Sequence, residues 1–313
     1  MAGSVDVFEL AKDSSGVIAA RVLFSGPVNG ISEEVTAAAA LKLADGLHVL
    51  TYERESGVAS LFAVSDAPPF LSARSKLTLP QQLDEIEPFV LGNRLHLLCY
   101  EQAKGNFTFY ELGDTGALSR PYVFRRTHEP GTTSAFSMVK PFAVEPGGRI
   151  AFIGYNGATG AVASYTLSVR STSPADTPPL FALVQWAHLW AKGWTRFAFF
   201  TFGLANFFLK TNPVYPNVNI DRILDDLSQG TIEVTSQMQD QLPEAMSLKL
   251  VQPLQFAHGE PYFVSYRDGG VLAFYRIWAN CGGWDQMGTA KTQTQARLVM
   301  PVGDEISRYL VVI

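Results

Sequence analysis

The sequence predicts an all-β protein: a six-bladed β-propeller whose ring is closed by the N-terminal strand completing the last blade. Three observations carry this. A strand–turn–strand phrase recurs six times at intervals of about 50 residues, a period that marks propellers or solenoids. Proline recurs at one position of the strand that precedes it. The last repeat stops at Ile313, one strand short, while residues 5–10 carry the missing phrase.

The closing strand of each repeat ends on an aromatic, any residue and an aliphatic. The triplets are Phe8-Glu9-Leu10, Phe62-Ala63-Val64, Tyr110-Glu111-Leu112, Tyr165-Thr166-Leu167 and Tyr275-Arg276-Ile277, with Asp221-Arg222-Ile223 as a degenerate copy. The strand before it is apolar on both faces, as at 95–100 (Leu-His-Leu-Leu-Cys-Tyr) and 150–155 (Ile-Ala-Phe-Ile-Gly-Tyr). Such strands are buried on both sides, as between stacked sheets. Turn signals such as Glu55-Ser56-Gly57, Lys104-Gly105-Asn106 and Asp268-Gly269-Gly270 join the two into hairpins.

A third strand comes first in each repeat, with cores Ile86-Glu87-Pro88-Phe89, Val139-Lys140-Pro141-Phe142, Phe197-Ala198-Phe199-Phe200 and Val251-Gln252-Pro253-Leu254. Ala38-Ala39-Ala40-Leu41 and Val299-Met300-Pro301 are looser copies. Proline cannot donate to a ladder and belongs on an edge. The innermost strand of a blade, with one edge on the central channel, is such a place. The blades are expected at about 30–66, 83–118, 135–169, 193–224, 246–277, and 291–313 with 4–10, all within one domain, 1–313. A solenoid would need capping ends, and the sequence shows none.

With 47% hydrophobic and 17% charged residues, the chain is globular. The net charge of −5 argues against a nucleic-acid partner, which calls for a basic face. Arg125-Arg126-Thr127-His128 is too short to change that and reads as a solvated loop. The apolar residues 181–209 are interrupted by Lys192, Gly193 and Arg196, so no membrane span is expected. The N-terminus has no basic region and apolar run of a secretory signal, and a cytoplasmic location is the expectation. Cys99 and Cys281 fall in separate repeats, which argues against a disulfide.

The repeats break at 170–179, rich in Ser, Thr and Pro, and at 228–245, both read as connections. Residues 180–190 between them fit a strand or a short helix. Trp186, Trp190 and Trp194 lie before or at the opening of the fourth blade, and Trp278 and Trp284 follow the fifth.

The chemistry concentrates on the inner strands. Just before the proline position the six blades carry Ala39, Glu87, Lys140, Ala198, Gln252 and Met300; two residues earlier, Ala37, Glu85, Met138, Arg196, Leu250 and Leu298. If this face lines the channel, Glu85, Glu87, Lys140, Arg196 and Gln252 converge while the first blade leaves room. An apolar cavity with a few convergent polar groups is the usual form of a ligand site. Glu87 beside Lys140 or Arg196 could serve as acid or base with a cation to stabilise developing negative charge. The same groups could instead satisfy one another or hold channel water. The tryptophans Trp186, Trp190 and Trp194 could stack on a ligand or fill wedges between blades.

His48 and His96 occupy one position in adjacent blades where others carry Phe207, Tyr262 and Tyr309, which reads as packing; they lack the third partner of a metal site. His188 and His258 lie near loops, and no motif spacing in the sequence joins them to another candidate ligand. Asp84-Glu85 and Asp225-Asp226 are common surface pairs. No phosphate loop, dinucleotide fingerprint or nucleophile elbow occurs, so neither cofactor nor metal is expected.

Taken over the whole chain, Gly193-Trp194-Thr195-Arg196-Phe197, and Tyr262-Phe263-Val264-Ser265-Tyr266-Arg267 with Phe274-Tyr275-Arg276-Ile277, resemble bacterial and fungal six-bladed repeat propellers, lectin-like ones included. The resemblance is one of architecture. Lectins of this shape usually repeat their sugar-binding side chains in most blades, whereas here the apolar positions repeat and the polar ones diverge. The expectation is therefore one asymmetric channel pocket for a small, mostly apolar molecule. The alternatives are a cofactor-independent cyclase, lyase or hydrolase using that pocket, and a carbohydrate-binding lectin or protein-interaction scaffold.

Overall fold

The computed structural model describes residues 2–119, 121–125, 135–144, 149–169, 180–212, 217–223, 250–256, 260–267, 269–304 and 306–313. The loops read at 170–179 and 228–245, together with Arg126, Thr127, His128, Asp225, Asp226, His258 and Asp268, lie outside the described residues.

The described residues form six antiparallel sheets arranged in a ring. Blade 1 runs from the channel outward as β3 (Val35–Leu43), β4 (Gly46–Glu53), β5 (Val58–Val64) and β6 (Leu71–Thr78). Blade 2 is β7 (Glu85–Leu91), β8 (Arg94–Glu101), β9 (Asn106–Leu112) and β10 (Tyr122–Arg125). Blade 3 is β11 (Met138–Ala143), β12 (Ile150–Tyr155), β13 (Ala161–Val169) and β14 (Leu180–Leu189). Blade 4 has three described strands, β15 (Arg196–Phe202), β16 (Ala205–Asn212) and β17 (Asn217–Arg222). Blade 5 is β18 (Leu250–Gln255), β19 (Pro261–Arg267), β20 (Val271–Ile277) and β21 (Trp284–Lys291).

Blade 6 joins the two ends of the sequence. β22 (Val299–Gly303) and β23 (Ser307–Val312) pair onward with β1 (Ala2–Lys12) and β2 (Ile18–Ser32). β1 and β23 are antiparallel, with Phe8 opposite Leu310 and Asp6 opposite Val312. The buried Asp6 carboxylate accepts from Ser25 Oγ at 2.5 Å and from the amides of Gln293 and Thr294 at 2.8 and 2.9 Å. The N-terminal strand is thereby tied to the linker that leads into its own blade.

The blades reach further than the sequence repeat. Each phrase contains the inner three strands, and four of the five described outer strands, β2, β6, β10 and β21, fall mainly in the stretches between the expected blades, the fifth being β14 over 180–189, where a strand or a short helix was expected. The physical reason is exposure: Leu71 is the one fully buried residue of β6 and β21 has none, so neither shows an apolar run.

The apolar core is six slabs, one at each seam between neighbouring blades. Tyr52, Tyr100, Tyr155 and Tyr266 end their middle strands and reach across a seam. Tyr52 Oη donates to Pro80 O at 2.6 Å and accepts from Leu83 N at 3.2 Å. Tyr100 accepts from Phe136 N at 2.9 Å and Tyr266 from Ala296 N at 3.1 Å. Tyr155 donates to Ala191 O at 2.7 Å and accepts from Trp194 N at 3.2 Å. Each ties down the linker to the next blade and satisfies polar backbone at a buried crossing. Blade 4 has Thr211 at this position and blade 6 has Ile313.

Candidate functional site

The inner strands of neighbouring blades touch one another around the whole ring, β3 to β7, β11, β15, β18, β22 and back to β3. Each pairs on one side only and turns its other edge to the channel. Pro88, Pro141, Pro253 and Pro301 lie on these strands, where the absent N–H costs no ladder bond. A cavity of about 500 Å³ occupies the channel and is lined by both rings of residues singled out in the sequence. Register explains the convergence. Glu87 is paired with Leu98, Lys140 with Ile153, Ala198 with Leu209 and Gln252 with Val264, equivalent rungs of successive blades. Glu85 and Glu87, two residues apart on β7, share one face.

The lining is asymmetric. Blades 1 and 6 contribute Ala37, Ala39, Leu298 and Met300, and blade 5 adds Leu250. Blades 2 and 3 contribute an ionic trio. Lys140 Nζ lies 3.0 Å from Glu85 Oε2 and closer still to Glu87 Oε1. The three side chains are 21–24% exposed, recessed but within reach of water. Burial pushes the Glu87 carboxyl up to about 6; Lys140 opposes the rise and Glu85 adds to it. For Lys140, burial works against the charged form, but the two carboxylates hold its proton on above the ordinary lysine range. Arg196, exposed on blade 4, also lines the cavity. Gln252 does too, and its amide has no hydrogen-bond partner among the described residues.

The sequence missed two further charged residues on the wall, Asp84 and Arg297, which sit on linkers outside the repeat phrase. Asp84 is engaged by Arg54 at 3.0 Å and by the amide of Gln102 at 2.7 Å, and Arg297 donates to Glu33 O.

The tryptophans are elsewhere. Trp190 and Trp194 are absent from the channel wall and pack in the seam between blades 3 and 4. They are large rings at a buried crossing, and Trp190 stacks on Phe208 with centroids 5.8 Å apart. Between them lies Lys210, its Nζ 4.7 and 4.6 Å from the two ring centres and 2.5 Å from Asp221 Oδ2. Asp221 is the degenerate member of the aromatic series and is fully buried. Trp186 lies on β14, and its side chain is outside the described residues.

His48 and His96 are packed as expected. Each is 2% exposed, with Nδ1 3.0 Å from a backbone oxygen two residues back, and His96 stacks on Phe89. Cys99 and Cys281 are free and buried. No cluster of three potential metal ligands occurs among the described residues.

No protein-family model matches the chain, and no curated protein matches it in sequence. Solved structures share its fold at low identity. A triple arginine mutant of AofleA from Arthrobotrys oligospora superposes with a TM-score of 0.54 at 8% identity, over 97% of this chain and 84% of that one. A candidate 6-phosphogluconolactonase from Bacteroides fragilis gives 0.52 at 16% identity, over 95% and 84%. The Aleuria aurantia lectin AAL, in complex with Fucα1-6GlcNAc, gives 0.51 at 12% identity, over 94% and 98%. The lectin-like resemblance legible in the sequence is thus one of architecture: this chain is an all-β, six-bladed propeller with a lectin and a candidate 6-phosphogluconolactonase among its structural neighbours.

Proposed function

We propose that the protein binds one small, mostly apolar molecule in the channel cavity. The observation that supports this reading is the asymmetry of the wall: alanine, methionine and leucine on blades 1, 5 and 6 face an ionic trio on blades 2 and 3. A ligand's apolar body would lie against the former, and hydrogen-bonding groups at one edge would meet Glu85, Arg196 and the unengaged amide of Gln252. A repeating lectin would instead place equivalent polar groups in several blades.

The test is a thermal-shift screen of a library of neutral amphiphilic fragments, repeated on Ala37→Phe, which fills the cavity from the alanine side. Hits at 100 times their Kd should stabilise the wild type by about 2.7 kcal/mol and leave the variant unshifted. Hits that stabilise both proteins equally would place the ligand elsewhere and end this reading.

A second reading is favoured by one observation, the Glu87 carboxyl near pH 6 beside Lys140. In a cofactor-independent hydrolase or lyase, Glu87 would exchange a proton with substrate and Lys140 or Arg196 would stabilise developing negative charge. Turnover of δ-gluconolactone or 4-nitrophenyl esters that disappears in folded Glu87→Gln would support it; turnover unchanged by the substitution would reject Glu87 as the acid or base.

A further inference from the structure

At the opposite mouth of the channel lies a second cavity of about 170 Å³, formed by blades 4, 5 and 6. It shares Phe199, Pro253 and Pro301 with the central cavity, so these three residues form the wall between the two. Its lining is different in kind. Phe200 is half-buried, with Phe207 stacked on it at 5.6 Å and 14°. Around it stand Gln255, Glu260, Asp304 and Ser307.

The polar groups have capacity left over. Ser307 is 9% exposed and accepts from Gln255 N at 3.0 Å, but its own hydroxyl donates to no acceptor among the described residues. Glu260 uses Oε2 for Lys12 and for the Tyr262 hydroxyl, at 3.3 and 3.1 Å. Asp304 uses Oδ2 for Lys42. The second oxygen of each carboxylate has no protein partner among the described residues. A buried donor without an acceptor carries a desolvation cost that a ligand hydroxyl would relieve.

Charge decides the ligand class. Both carboxylates are already balanced, by Lys12 and Lys42, so the site offers strong acceptors without a net charge to attract a cation. An aromatic face, two carboxylate acceptors and one hydroxyl donor around a small cavity suit a ring with an apolar C–H face and hydroxyls on its rim. We propose that this mouth is a binding site for a neutral monosaccharide unit, separate from the channel pocket.

The experiment is saturation-transfer difference NMR on the intact chain with D-galactose, D-glucose, D-mannose and L-fucose as probes, and choline as a cationic control. The expected result is transfer to at least one sugar and none to choline. The signal should fall several-fold in Phe200→Leu, which keeps the apolar packing, and in Asp304→Asn, whose exposed side chain puts folding at no risk. It should persist in Ala37→Phe, which fills the other cavity. Choline transfer in place of sugar would assign a cation site and overturn the proposal. So would no transfer to any sugar, or sugar transfer unaffected by Phe200→Leu and Asp304→Asn.

Discussion

Replacing Lys210 by methionine tests how much the seam between blades 3 and 4 depends on one charge. The lysine is 4% exposed and Asp221 is fully buried, so the variant leaves a carboxylate without its counterion in an apolar wedge. Methionine keeps most of the stem packed between Trp190 and Trp194, which isolates the ammonium as the missing part. Asp221 must then take up a proton. From an unfolded pKa near 3.9, protonation at pH 7 costs about 4 kcal/mol. That agrees with the roughly 3–5 kcal/mol typical of breaking a buried ion pair. The lost cation–π contacts add about 0.5–2 kcal/mol each.

The sign gives a second handle. Burial already raises the Asp221 carboxyl and Lys210 opposes the rise. A group raised on folding stabilises below its unfolded pKa, and that contribution is lost as pH increases through the folded value. Removing Lys210 raises it further, so the variant's deficit should grow with pH, by up to about 1.4 kcal/mol per pH unit once pH exceeds the value at which Asp221 ionises in the folded wild type. Urea unfolding followed by tryptophan fluorescence at pH 4, 5.5 and 7 measures this. The double variant Lys210→Met/Asp221→Leu should recover most of the loss, since an apolar pair replaces a buried ionic one at little cost. A deficit below about 1 kcal/mol at pH 7, or one that does not change with pH, would refute the account.

Glu87→Gln should gain stability relative to the wild type as pH rises from 4.5 to 7, by up to about 2 kcal/mol, because the Glu87 carboxyl is raised to about 6 and its folding contribution disappears above that value; paired unfolding curves at the two pH values check it. Asp6→Ala removes the acceptor of three hydrogen bonds and should cost about 2–4 kcal/mol, read from the urea midpoint. Tyr100→Phe removes the hydroxyl that accepts from the Phe136 amide and should cost about 1–3 kcal/mol, with faster amide exchange in blade 3 as the local readout.

The ring and its closure were legible because the inner three strands of each blade are buried on both faces, and burial writes itself as apolar runs. The channel residues were legible for a related reason: register repeats with the blade, so Glu87, Lys140 and Gln252 could be placed on one ring around the channel from spacing alone. The outer strands were not, because β6 and β21 have too few buried residues to show a run. Lys210 and Asp221 were hidden by the repeat itself. Asp221 looked like a degraded aromatic, and only their diagonal positions on β16 and β17, Lys210 opposite Asn219 and Asp221 opposite Phe208, with Trp190 and Trp194 arriving from the preceding linker, show a compensated pair. The second mouth drew on hairpin residues such as Asp304 and Ser307, which carry no repeat signal.

The pairing of β1 with β23 also sets a timetable for synthesis. Strand residues near the start of the sequence have their sheet partner near its end. At about 5–20 residues per second, Val5, Val7 and Phe8 wait tens of seconds while five blades emerge between them and Leu310. During that interval β1 holds an apolar strand with one edge unclosed, a hazard for pairing with another chain. The five blades between can assemble seam by seam as they leave the ribosome. The circle is completed only by a contact that spans nearly the whole chain, which makes the closing step the slowest and the one most open to rescue by chaperones.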